Sequence, residues 1–218
     1  KYPGGVTEKI HELNPGDEGQ TSFYLSSIFN PIIVRSIKNP HIDVNVQMSG
    51  TKADSSDISS ESNFTIKFNS IMDLSAKSYR SVGPFSNNGP IPPRVDKEST
   101  YTVTWIITNT SNDLKDAIVN GKLPINVDWK GETSPSSERV TFDPSSRIVT
   151  WNVGNITAGT GFTYSARTVS FKVGVTPSIT QKDSILSLIS NISGKSTDTY
   201  TDATLQNSVG DVTTRYFD

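Results

Sequence analysis

A strict alternation of apolar and polar side chains over residues 100–109 constrains this chain more than any other feature. On one side of the alternation the side chains are apolar: Tyr101, Val103, Trp105 and Ile107. On the other side they are mostly threonines: Thr102, Thr104 and Thr108. A two-residue period of this kind predicts a β-strand with one face in a core and the other in water. We therefore predict that residues 100–109 form a central strand of a β-sandwich.

The same alternation recurs along the chain. The clearest further strands are predicted at residues 42–48, 64–68, 138–142, 148–153 and 169–175. Shorter candidates lie nearer the start, at residues 6–11, 22–27 and 32–34. The polar residues 50–62 are predicted to form a long loop, and the Gly- and Pro-rich residues 81–93 an extended connection. The sequence thus predicts an all-β protein.

Composition narrows the classes of partner. The formal net charge is −2 and there is no basic block, which argues against nucleic acid. There is no apolar run of the roughly 18–20 residues that a membrane helix needs, so we expect no membrane contact by this segment. The absence of cysteine excludes disulfides and thiolate metal sites.

Two parts of the chain repeat one another in sequence order. The parallel segments are Leu13-Asn-Pro-Gly with Ile156-Thr-Ala-Gly, Met48-Ser-Gly with Ile192-Ser-Gly, and Phe64-Thr-Ile-Lys-Phe with Val212-Thr-Thr-Arg-Tyr. No counterpart of the strand at residues 100–109 occurs before residue 71. We therefore predict two units, residues 1–71 and 72–218, of which the first is the later part of a repeat. It is either a truncated sandwich that needs a partner for its open edges, or a minimal sheet that is stable alone.

Several segments of residues 72–218 share the sequence pattern of one known family. They are Asp73-Leu-Ser-Ala-Lys-Ser, Tyr101-Thr-Val-Thr-Trp-Ile-Ile-Thr-Asn, Leu123-Pro-Ile-Asn-Val, Val149-Thr-Trp-Asn-Val and Val169-Ser-Phe-Lys-Val. Together they resemble the conserved-repeat, immunoglobulin-like domain of unknown function found in tandem in long bacterial cell-surface proteins. The resemblance implies tandem immunoglobulin-like antiparallel β-sandwiches, one complete and one partial or minimal. It also implies an extracellular, cell-surface location, neighbouring repeats of the same protein as partners, and no catalytic residue.

Candidate ligand sites are few. Oxygen ligands in a loop favour calcium, and Asp198 with Asp202 is the better of two acidic pairs, although turn chemistry explains both pairs. We predict no other cofactor. Trp129 lies near a predicted turn and is the candidate for an exposed, ligand-binding aromatic, whereas Trp105 and Trp151 fall in the buried phase of their strands. His11 and His41, the two histidines, have no partners at metal-ligand spacing.

These observations favour a non-enzymatic structural module of an extracellular surface protein, acting as a spacer, a lattice element or an adhesin stalk. Two alternatives stay open at this stage. One is a module that binds glycan or protein on a host surface through exposed aromatics. The other is a filament subunit whose first unit is completed by a neighbouring chain. No nucleophile is paired with a base in the sequence, so we predict that the chain is not an enzyme.

Overall fold

The computed structural model describes residues 12–14, 16–22 and 37–218, and these residues form a nearly all-β structure. The strands are β1 (His41–Thr51), β2 (Asp57–Lys67), β3 (Met72–Tyr79), β4 (Ser99–Asn109), β5 (Leu114–Lys122), β6 (Val127–Ser134), β7 (Arg139–Asp143), β8 (Ile148–Ile156), β9 (Arg167–Val175), β10 (Ser187–Asp198), β11 (Thr204–Val209) and β12 (Val212–Thr213). The strands predicted at residues 6–11 and 32–34 lie outside the described residues, as do residues 23–27 of a third.

Strands β3 to β12 form two facing antiparallel sheets. One has the order β3-β4-β9-β6, and the other has the order β11-β10-β5-β8-β7, with β12 also paired to β10. Apolar side chains of both sheets fill the space between them, the largest being Trp105, Trp151, Tyr101 and Phe171. The rings of Trp105 and Phe171 meet edge to face, with their centroids 4.9 Å apart. The prediction of an all-β, immunoglobulin-like antiparallel sandwich is confirmed. The division of the chain into units 1–71 and 72–218 stays a prediction.

The central strand of the first sheet is β4, which lies between β3 and β9 as the alternation predicted. The expectation that its threonine face is in water is wrong, because Thr102 is fully buried and Thr104 nearly so. The connection between β3 and β4 folds over this face, and Asn87 Nδ2 donates a hydrogen bond to Thr102 Oγ1 at 3.0 Å. Thr104 Oγ1 in turn bonds Ser170 Oγ on β9 at 2.8 Å. A side chain that can satisfy its hydroxyl locally is tolerated under such a cover.

A separate two-stranded sheet precedes the sandwich. Strands β1 and β2 pair antiparallel from His41 opposite Lys67 to Thr51 opposite Asp57. The prediction of a long loop at residues 50–62 is therefore wrong, since only five residues separate the strands. The side chains of this segment are mostly polar on both faces of the hairpin, and both faces are largely in solvent.

The hairpin repeats the last strands of the sandwich, as the sequence predicted. Asp43 lies opposite Thr65 in the hairpin, and the equivalent Ser187 lies opposite Thr213 where β10 meets β12. The residue two positions before β1, Asn39, has φ of +53°, and its equivalent Asp183 has φ of +59°. Left-handed backbone is uncommon outside glycine, so its recurrence at matched positions shows that the repeat extends to the backbone.

The chain runs through the sandwich from one end to the other. Strand β3 begins opposite Asn109, and the loop after β4 also lies there, so we call this the entry end. The last residues lie at the opposite end, which we call the exit end: Phe217 N donates to Ser78 O, and the Asp218 carboxylate accepts from the backbone of Arg80 and Ser81. The two ends are about one strand length apart, roughly 35 Å for the 11 residues of β4.

Candidate functional site at the entry end of the sandwich

A cluster of polar side chains lies at the entry end, where the chain passes from the hairpin into the sandwich. We call it the polar junction, and its members are Ser70, Asn109, Thr110, Ser111, Asn112, Asp113 and Asp198. All but Asp113 are buried. Burying polar groups is unfavourable unless each one finds a hydrogen-bond partner. The partners therefore define what this site holds in place.

The carboxylate of Asp198, at the end of β10, is the centre of the polar junction. Its Oδ2 accepts hydrogen bonds from Ser70 N and Asn112 Nδ2, each at 2.7 Å. Its Oδ1 accepts from Tyr200 N at 2.9 Å and Thr201 N at 3.2 Å. Burial by itself raises the pKa of Asp198, but these four donors outweigh it and hold the pKa below its ordinary value of 3.8. The side chain is therefore ionised at neutral pH.

The hydroxyl of Ser70 joins the segment before β3 to the loop after β4. It donates to Asn109 Oδ1 at 2.7 Å and accepts from Ser111 N at 2.9 Å and Asn112 N at 3.2 Å. Asn109 Nδ2 donates to Asn112 O at 2.7 Å within the same loop. Short polar side chains bond nearby backbone in this way and set the loop conformation. The loop consequently presents its backbone groups to whatever precedes β3.

The segments flanking the hairpin bond one backbone group and one side chain of this loop. Asn39 N donates to Ser111 O at 3.1 Å, and Asn112 Nδ2 donates to Phe68 O at 2.8 Å. Because both strands of the hairpin are tied at their bases, the hairpin is held on the entry end at two points.

An ion pair at the rim of the polar junction adds a charged contact. Lys38 Nζ lies 2.8 Å from Asp113 Oδ2, and Ala158 N donates to Asp113 Oδ1 at 2.8 Å. The hydrogen bond from Ala158, followed by that from Lys38, lowers the pKa of Asp113. The bond to Asp113 raises the pKa of Lys38. Both side chains are substantially exposed, so this pair contributes more to orientation than to stability.

An aromatic side chain completes the contact between the hairpin and the sandwich. Lys67 Nζ lies 4.7 Å from the centre of the Tyr200 ring and donates to Tyr200 O at 3.2 Å. The His41 ring lies on the same residue, with centroids 6.3 Å apart. A cation over an aromatic face is attractive. The polar junction is thus a docking surface for the bases of two strands.

The chemistry of the polar junction is that of binding. Its side chains are hydroxyls, amides and carboxylates that bond backbone groups, and no imidazole lies among them to activate Ser70. Within residues 12–14, 16–22 and 37–218, no group of three or more His, Asp and Glu side chains could hold a metal ion. The same described part of the chain contains no helix that is long and apolar enough to cross a membrane.

The calcium candidates Asp198 and Asp202 are adjacent in the structure but have different environments. A carboxylate has about four acceptor positions, and N–H groups occupy all four on Asp198. Asp202 is exposed, and its backbone N donates to Asp198 O at 2.9 Å. The geometry gives Asp198 a structural role, in which two N–H groups of its own turn and two groups distant in sequence bond its carboxylate, and calcium stays a prediction.

Trp129, the candidate for an exposed aromatic near a turn, lies in β6, where it is half-buried. Its ring stacks on Phe142 with centroids 5.8 Å apart and tilts against Phe171 at 5.3 Å. The Trp129 ring therefore packs against the core. Trp105 and Trp151 are fully buried, as predicted. Glycan binding by Trp129 stays a prediction. His11 lies outside the described residues, and His41 is exposed beside Asp43.

Sequence reasoning missed the polar junction, although it had singled out Asp198. The signal was present in the run Asn109-Thr-Ser-Asn-Asp, whose composition is typical of a turn. A turn loop and a docking surface have the same composition, because both require short side chains that bond backbone. Only the position of Ser70 against this run distinguishes the two.

Comparison with known proteins adds similarity of structure. No protein-family model matches the sequence, and no curated protein sequence matches it. Among solved structures, the chain is similar to BcpA, the major pilin subunit of Bacillus cereus, with a TM-score of 0.39 and 11% identity. It is also similar to a variant of that subunit, with a TM-score of 0.40 and 11% identity. Each comparison covers 77% of this chain, which spans 47% of the pilin subunit.

Proposed function

We propose that this chain is a non-enzymatic structural repeat module of an extracellular cell-surface protein, in which sandwich units joined in series act as a spacer. The observation that carries the proposal is the path of the chain. It enters the sandwich at the polar junction and leaves at the opposite end, beside Arg80 and Ser81. A unit with its two connections at opposite ends adds its full length to a chain of such units.

The interior of the sandwich supports a mechanical role. Large apolar side chains occupy the space between the sheets with no exposure to solvent, so substrate has no cleft there in which to bind. The backbone hydrogen bonds between neighbouring antiparallel strands resist separation of the sheet. The hairpin adds length because the described contacts that hold it involve its base, at Asn39, Lys67 and Phe68.

Small-angle scattering on the 218-residue protein tests this role. A compact globule of this length has a radius of gyration of about 17 Å. Two strand lengths in series, each about 35 Å, raise the expected value above about 20 Å. Antibodies against the protein should also label intact cells that produce it. A radius near the compact value, or labelling only after cells are opened, would contradict the proposal.

A specific observation favours a second candidate, a filament subunit completed by a neighbouring chain. One face of the hairpin is apolar and largely exposed, with Met48 at 60% and Phe64 at 48% of their full exposure. In the sandwich, a Cβ on Gly194 would lie 3.3 Å from Met72 Cε, whereas on the equivalent Gly50 it would meet only Ile58, at 3.8 Å. Among residues 12–14, 16–22 and 37–218, no second layer covers the hairpin as one covers its counterpart β10.

Sedimentation equilibrium on the intact protein separates the two candidates. For a filament subunit we expect the average mass to rise with concentration, and Phe64→Glu to weaken association at least tenfold by charging the apolar face. Ser59→Glu is the matched control, because it places the same charge on the polar face of the same strand. A constant monomer mass for the parent protein rejects the second candidate and leaves the first intact.

A further inference from the structure

The exit end of the sandwich repeats the segment that docks at the polar junction. Residues 37–39 are Ile-Lys-Asn, and residues 181–183, 144 positions later, are Gln-Lys-Asp. Lys182 thus corresponds to Lys38, and Asp183 to Asn39, with the same left-handed backbone. The following strand begins two positions after Asn39 and four positions after Asp183, and each strand carries the matched Ser-Gly pair. The exit end therefore presents a lysine followed by a residue with left-handed backbone, in the same order as the segment that docks the hairpin.

The second docking segment is repeated as well. Residues 67–70, which carry Phe68 O and Ser70 N into the polar junction, correspond to residues 215–218. Thr214 N donates to Leu186 O at 2.9 Å, and the equivalent residues Ile66 and Ile42 are paired in the hairpin. The two docking segments are consequently held side by side at the exit end, as they are beside the hairpin.

The groups at the exit end are accessible. Lys182 and Asp183 are exposed, and the neighbouring loops expose Ile125 at 89% and Ile179 at 72%. At the entry end, Asp113 supplies the opposite charge and Tyr164 an exposed aromatic ring at 59%. Charge and apolar surface are therefore complementary between the exit end of one unit and the entry end of another.

We propose that the exit end is a docking surface for the entry end of a further sandwich of this kind joined in series, with Lys182 paired to the Asp113 of that unit. The inference rests on the proposed function and adds the geometry of the series. The contact between successive sandwiches is a fixed joint, so they keep one relative orientation. In an intact copy of the chain, Lys38 already pairs with Asp113, so the proposed partner is a sandwich whose Asp113 has no Lys38 beside it.

A lengthened protein tests the proposal. It consists of the full chain with a second copy of residues 71–218 attached directly after Asp218, so that the join reproduces the natural passage from residue 70 to 71. The chain has no cysteine, and Thr141→Cys in each sandwich therefore gives one spin label per unit on the exposed surface of β7. Pulsed electron resonance then measures the distribution of distances between the two labels.

A single narrow distance distribution is expected, and Lys182→Glu in the first sandwich should at least double its width through repulsion by the Asp113 of the second. Lys195→Glu is the matched control, since it makes the same charge change on an exposed position of β10 away from the exit end, and it should leave the width unchanged. A broad distribution in the lengthened parent protein would overturn the proposal. So would a narrow one that Lys182→Glu does not alter. Either result leaves a flexible spacer possible, and the surface labelling and scattering tests decide that function separately.

Discussion

Replacing Asp198 by asparagine is expected to lower the free energy of unfolding of the sandwich by about 3 kcal/mol, because hydrogen bonds to a buried charge contribute about 1.5–3 kcal/mol each. The asparagine keeps one oxygen, but its NH₂ group would face the N–H donors of Ser70 and Asn112. For a domain of this size, the melting temperature should fall by about 6–12 °C. Urea unfolding at pH 7 measures the difference.

The stability of the folded protein should also depend on pH through the Asp198 carboxylate. The pKa of Asp198 is lower in the folded protein than its ordinary value of 3.8. Its ionised form therefore stabilises the fold at pH values above about 4, and this contribution is lost as the pH falls through the lowered folded pKa. We expect the stability of the parent protein to decrease below pH 4 more steeply than that of the Asp198→Asn variant.

Asp202→Asn is the control for both measurements. Asp202 is exposed, and its backbone conformation, with φ of +58°, suits asparagine as well as aspartate. The urea midpoint and the melting temperature of the Asp202→Asn variant should stay close to those of the parent protein. Equal midpoints for the two variants would show that the carboxylate of Asp198 does not stabilise the polar junction.

The second large effect is expected for Glu138→Ala, which should lower the free energy of unfolding by about 2–3 kcal/mol, since it leaves the buried indole N–H of Trp151 and the partly exposed guanidinium of Arg167 without their acceptor. Glu138 is 9% exposed and receives two parallel hydrogen bonds from Arg167, at 2.9 and 2.8 Å. It also accepts from the indole N–H of the buried Trp151 at 2.8 Å. Arg167 belongs to one sheet and Trp151 to the other, so this carboxylate ties the two layers together.

Two further variants test how much of this effect comes from the ion pair between Glu138 and Arg167. Glu138→Gln keeps an acceptor for Trp151 but removes the ion pair, and it should cost less than the alanine. Glu132→Ala removes the partner of Lys172, where the carboxylate is 48% exposed, and exposed pairs contribute about 1 kcal/mol or less. Thermal unfolding that ranks Glu132→Ala level with Glu138→Ala would contradict the role of the buried ion pair.

The sequence predicted the existence of the repeat better than it predicted the function of the repeat. Met48-Ser-Gly and Ile192-Ser-Gly do lie on equivalent strands. The limits of β1 and β2 were underestimated, because a hairpin with two wet faces has no apolar alternation to reveal it at residues 50–62. Trp129 was expected to be exposed but is half-buried, because proximity to a turn in sequence does not show which side chains pack on a ring.

By itself the sequence determined the all-β class and the central position of β4. Apolar side chains with a two-residue period fall on one face of a strand, and that face is stable when it packs against a core. It also identified Trp105 and Trp151 as interior residues. Only the tertiary structure decided that Thr102 is buried, that Glu138 meets Arg167 across the sheets, and that Asp198 binds Ser70. Each of these contacts joins residues 15 to 128 positions apart. Their side chains are ordinary polar ones, and no local pattern shows which distant partner satisfies them.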